Sequence, residues 1–254
     1  MYVMTFRFSL FGEFNRFTPT TNNIIKWSQA FQEKGYDFLP SVINTSIPVF
    51  PLIPAESNSV DNRLQFTSSK GDYIVRILAN RIDVESTLLE TDEVENKLTE
   101  ISDVLNSLIT IISDALGNPR GTRLAFFVDA LSPEHKDYNY NKIYSGLNMG
   151  LSVNNSDNCI EWHHRFNERV ELSVGSENES CNSIITIESA ILNTQDKTSG
   201  QVSEIKGVHI SADINTLPEN RNERFDASNL IRFCSSAKDT FCDVMKQIEL
   251  MFTK

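Results

Sequence analysis

The chain has 254 residues, 40% of them apolar with 16 Phe, a formal net charge of −11 and a pI near 4.9. A surface that acidic on average repels nucleic acid and anionic membranes, and no apolar run approaches the about 20 residues that cross a bilayer. The length accommodates one large domain or two of ordinary size.

The first element is a strand, because Phe6, Phe8 and Leu10 alternate with Thr5, Arg7 and Ser9. Thr20 or Thr21 can cap a short helix whose apolar stripe is Ile24, Trp27 and Phe31, with Gly35 to end it. Residues 40–62 carry Pro40, Pro48, Pro51 and Pro54 between Val42, Ile47, Val49 and Phe50. They read as an extended, proline-punctuated edge segment followed by a flexible loop through Glu56 to Ser59.

A three-stranded antiparallel meander follows. Leu64 and Phe66 alternate with polar neighbours, Gly71 permits a turn, Tyr73 to Leu78 is apolar on both parities except Arg76, and Ile82 and Val84 alternate again. The next helix has Asp92 and Glu95 at capping-box spacing and the stripe Val94, Leu98, Ile101, Leu105, Leu108 and Ile112. Its heptad-like spacing lasts under four heptads beside strands, which favours a helix on a sheet over a coiled coil. Gly117 and Pro119 close it.

The scheme then restarts with a strand at Leu124, Phe126, Val128 and Ala130, and a weak helical phase at Tyr140, Ile143, Tyr144 and Leu147. From Ile160 to Val174 the even positions are mostly apolar and the odd ones polar, an alternation long enough to predict a bend or break near Asn167-Glu168. A polar turn from Ser176 to Asn182, a strand from Ser183 to Leu192 and a polar loop from Asn193 to Ser203 come next. Val208, Ile210, Ala212 and Ile214 then form a strand, and the charged loop Pro218 to Arg224 leads to a last helix. Asp226 is its cap, and Leu230, Phe233, Ala237, Phe241, Val244, Ile248 and Phe252 its stripe.

These elements predict an α+β fold: a duplicated unit of strand, helix, antiparallel strands and long helix, each long helix packed on a curved antiparallel sheet. The halves would be residues 1–117 and 118–254, as two domains or with their sheets joined edge to edge. The meander Arg63 to Ile82 and the C-terminal run Val208 to Ile214 with Ala237 to Phe241 resemble a sporadically distributed family of uncharacterised bacterial proteins of about this length. The resemblance implies a cytoplasmic bacterial protein encoded in a mobile or phage-defence neighbourhood, and brings no catalytic residue with it.

Cys159, Cys181, Cys234 and Cys242 form no Cys-x-x-Cys pair, and no secretory h-region is present, so thiols in a reducing cytoplasm are expected. Cys234 and Cys242 sit too far apart on one helix for a disulfide and read as packing thiols. Glu161, His163 and Arg165 share one strand face, and His209, Ser211 and Asp213 another. Were those strands neighbours, Glu161, His163, His209 and Asp213 could bind a divalent metal or do acid–base work. Solvated strand faces show the same pattern without any chemistry. His164, on the apolar parity beside Trp162 and Phe166, reads as a core histidine. Gly117 to Gly121 follows a helix and precedes a strand, the reverse of a phosphate loop. Asp129 and Asp213, each late in an apolar strand, read as loop-organising carboxylates. No nucleophile elbow, Walker motif, dinucleotide fingerprint or zinc-helix motif occurs, so no cofactor is expected.

The function expected first is a non-enzymatic binding or assembly protein, acting through a protein partner or a second copy, a dimer included. A metal-dependent hydrolase using the His/Asp/Glu faces is the alternative, and an acidic decoy of a nucleic-acid-binding protein the third.

Overall fold

Phe6, Phe8 and Leu10 occupy one side of β1 (Tyr2–Phe11), and all three are buried. A strand so greasy on one side must have that side covered, and the computed structural model shows by what. It describes residues 2–45, 61–87, 89–90, 94–133, 161–175, 177–195 and 202–253. The proline-rich run past Thr45, the loop at Glu56 to Ser59, the cap Asp92, the helical phase at Tyr140 to Leu147 and Cys159 lie outside those residues.

The other strands are β2 (Phe38–Thr45), β3 (Asp61–Ser68), β4 (Tyr73–Ile77), β5 (Arg81–Ser86), β6 (Leu89–Glu90), β7 (Arg123–Pro133), β8 (His163–Ser173), β9 (Asn178–Gln195) and β10 (Val202–Thr216). The helices are α1 (Thr21–Glu33), α2 (Val94–Leu116) and α3 (Ala227–Thr253). The meander of β3, β4 and β5 forms as its alternation dictates.

The strands make one ten-stranded sheet in the order β2-β3-β4-β5-β1-β7-β10-β9-β8, with β6 beside β1, and every pairing is antiparallel. This overturns the expected architecture of two repeat units, each a curved sheet under its own long helix. Strands dominate, the described residues hold only three helices, and β1 pairs directly with β7 from Phe11↔Arg123 to Tyr2↔Leu131. The physical reason is that the apolar strands opening the two halves find their hydrogen-bond partners in each other. The helices are a minority layer that pack side by side as well as on strands, α2 touching α1, α3 and β5.

The strand faces facing the helices build a single core. Leu98, Ile101, Leu105, Leu108 and Ile112 of α2 join Leu230, Phe233, Ala237, Phe241 and Ile248 of α3 in it. Phe6 and Phe126 meet edge to face at 5.3 Å across the β1–β7 pair, and Phe31 stacks on Phe38 at 4.6 Å.

Helix ends follow the local chemistry. Thr20 accepts from the Asn23 amide at 3.3 Å, capping α1. α2 ends with Gly117 (φ 76°) and Asn118 (φ 54°) in the left-handed region, their amides donating to Asp114 and Ser113 carbonyls. Asp226 accepts from the Asn229 amide while Asn229 accepts from the Asp226 amide, a reciprocal cap for α3.

Three local expectations need correction, the first being the polar turn at Ser176 to Asn182, which from Asn178 onward is the opening of β9 paired with β8. β8 runs unbroken from His163 to Ser173, with no break at Asn167-Glu168, because each residue has a ladder partner on β9. The polar stretch at Asn193 to Ser203 is strand on both sides: Asn193 and Thr194 pair with Glu204 and Ser203. Backbone hydrogen bonding carries these arms onward after burial has run out.

Candidate functional site: the polar face and open edge of the sheet

The residues alternating with the core positions line the opposite face of the sheet. On its β5 side, Arg76 donates to Glu85 at 2.8 Å and to Gln65 at 3.0 Å, and Asp83 takes Ser9 at 2.6 Å and Arg81 at 2.8 Å. Arg7 lies over Phe127 (4.9 Å) and Arg123 over Phe11 (4.3 Å). Asp83 is fully buried and Glu85 nearly so, which such paired charges permit.

On its β9 side a chain of titratable groups crosses four strands. His163 Nδ1 meets Glu188 at 2.7 Å, the other Glu188 oxygen meets His209 Nδ1 at 2.7 Å, and His209 Nε2 meets Asp129. The register makes this row, since His163 and His209 both pair with Glu188. The Asp129 hydrogen bond, joined by that of Glu188, holds the His209 pKa above its ordinary value against the opposing effect of burial. Glu188 is held below its ordinary range, first by the hydrogen bond from His163 and then by that from His209. His209 is clamped between two carboxylates with both ring nitrogens engaged, contacts that favour its imidazolium form, which donates from both.

Of the residues singled out in the sequence, His163 and His209 come together, but through β9, which separates their strands. Asp213 instead accepts from Asn215 at 2.9 Å, and Glu161 lies exposed ahead of β8. Asp129, read as organising a loop, is instead mid-sheet against His209. Glu188 was missed, though its position opposite the buried Ile185 and Ile187 parity marked it as a face residue. Among the described residues no group of three or more His, Cys, Asp or Glu side chains is placed to hold a metal ion. His164 lies between Trp162 and Phe166, its pKa lowered by burial and then by His163.

Among the described residues the sheet ends at β2 and β8, and the two ends differ. The Ser69 amide bonds Asp37 O, so odd residues of β2 point their backbone groups at β3 and even ones outward. Pro40 is therefore outward-facing and deletes one donor from that edge. On β8, Ser189 N bonds Trp162 O and Val174 N bonds Glu177 O, so even residues bond β9. His163, Arg165, Asn167, Arg169, Glu171 and Ser173 turn their N–H and C=O groups outward, and among the described residues no strand pairs with them. Arg165, Asn167, Arg169 and Glu171 are also exposed.

No described helix is long and apolar enough to cross a membrane. In comparisons with known proteins, no family model and no curated sequence matches the chain.

Proposed function

We propose that this chain is a non-enzymatic binding protein that associates with a protein strand along the outer edge of β8, inside a bacterial cytoplasm. The single observation behind this reading is the asymmetry of the sheet edges: β2 is interrupted by Pro40, whereas β8 offers an unbroken row of outward N–H and C=O groups. Strand addition draws its affinity from such a row and its specificity from the flanking side chains. The resemblance of the meander and C-terminal run to a bacterial family supports the cytoplasmic setting and a mobile or phage-defence locus.

A hydrolase built on the histidines has less to rest on, because both nitrogens of His209 are already taken by carboxylates. The test is Asn167→Pro, which removes an outward N–H and leaves every β8–β9 bond in place. The wild type and the variant are each recovered from native cells under cross-linking and analysed by intact mass and proteomics. Loss of a defined cross-linked species in the variant, with unchanged melting, supports the reading. An identical set of species from both proteins removes it.

A further inference from the structure

We infer that the strand filling the β8 edge is β8 of a second copy, paired antiparallel about a two-fold axis at Glu168. The inference rests on the edge reading above and specifies its partner. An edge-to-edge two-fold requires each residue to face the one equidistant from the axis. The register that overlaps β8 completely, His163 to Ser173 against itself, has its centre at Glu168. In it the outward-bonding odd residues face one another, giving about a dozen backbone hydrogen bonds.

Side chains distinguish this register from its neighbours. On the polar face Arg165 meets Glu171 of the copy, and Glu171 meets Arg165, so two opposite-charge pairs form. Asn167 faces Arg169, also twice. A slip of the axis to Asn167 sets Arg165 against Arg169 at both ends, and a slip to Arg169 sets that arginine against itself. On the other face, Phe166, 40% exposed in the single chain, gains the half-buried Val170 of the copy. Arg165 and Glu171 are both exposed and have no ion-pair partner among the described residues. Cross-strand pairs of opposite charge stabilise a sheet and like charges directly opposite destabilise it. One contact opposes the pairing: Glu168 faces Glu168.

These assignments are tested by sedimentation equilibrium on the full chain. The wild type is expected to be a concentration-dependent dimer. Arg165→Glu alone and Glu171→Arg alone each weaken it about tenfold. The double swap R165E/E171R returns it to near wild-type strength, and Glu168→Thr tightens it. A wild type that stays monomeric to hundreds of micromolar overturns the inference, as does a double swap no better than its singles. Asn167→Pro separates the two levels. If the wild type is monomeric yet Asn167→Pro abolishes a cross-linked heterologous species, the self-pairing fails and the edge reading survives. If a wild-type dimer is indifferent to Asn167→Pro and the variant also keeps every cross-linked species of the wild type, both fail.

Discussion

Glu188 and His209 face each other across the β9–β10 pair, with Nδ1 2.7 Å from Oε1 and the other imidazole nitrogen turned to Asp129. The pairing raises the pKa of His209 and lowers that of Glu188, so it has an acid limit and an alkaline one. The folded pKa of His209 lies above its ordinary 6.5, so its contribution is complete below about 6.5 and fades as pH rises through the folded value. Glu188, held below its ordinary 4.5, contributes above about 4.5 and loses its effect as pH falls through its folded value. Both contributions are complete between those limits.

His209→Gln should therefore flatten the alkaline limb of the stability profile. Urea unfolding at about pH 6 and about pH 9 measures this, with wild type losing more stability over the interval than the variant. Equal losses in the two proteins would falsify the clamped-imidazolium assignment.

Arg224 ties the loop before α3 to the sheet. It donates to both oxygens of Glu179 (3.2 and 3.0 Å) and to the carbonyls of Thr122 and Asn220 (each 3.0 Å), with its guanidinium over Phe225. Arg224→Ala should cost about 2–3 kcal/mol, and Arg224→Lys should recover less than half because a single ammonium cannot make the two-pronged contact. Chemical denaturation of both variants decides it: a lysine variant as stable as wild type rules out the forked geometry as the source.

A methyl group on Gly207 would sit 2.2 Å from the carbonyl oxygen of Ser132 across the β7–β10 pair. Gly207→Ala should destabilise by about 1–3 kcal/mol by forcing those backbones apart. Thermal melting is the readout, and a variant that melts with wild type would show that the strands approach less closely than this.

Burial and its acidic neighbours push the Cys181 thiol up to about 12, and full burial raises that of Cys234. Neither presents a thiolate near neutral pH. Mass-resolved alkylation at pH 8 should label both no faster than the protein unfolds; labelling of Cys234 within seconds would mean that α3 does not hold it in the core.

The local elements were legible because burial writes itself into periodicity. Leu64 and Phe66, Leu124 to Ala130 and Val208 to Ile214 show a period of two, and Leu98 to Ile112 a helical stripe, and each is buried on the marked side. What the sequence could not supply was who pairs with whom. Nothing in Phe6-Arg7-Phe8 says that its neighbour is Phe126-Phe127-Val128, so the sequence leaves open whether the sheets of the two halves join or stay apart. The same gap hid the site: His163 and His209 were visible, but their junction Glu188 lies on a strand between theirs. Pro40 was informative for a local reason, since a missing N–H restricts its residue to an edge whatever the partner is.

The pairing of Tyr2 with Leu131 carries a consequence for biogenesis. On the ribosome β1 can already join β5, yet its other side waits until more than half the polypeptide has been made. A nascent chain stalled before β7 would display a row of unsatisfied backbone groups at what becomes the middle of the molecule, an interval of vulnerability to chaperone capture and misassembly.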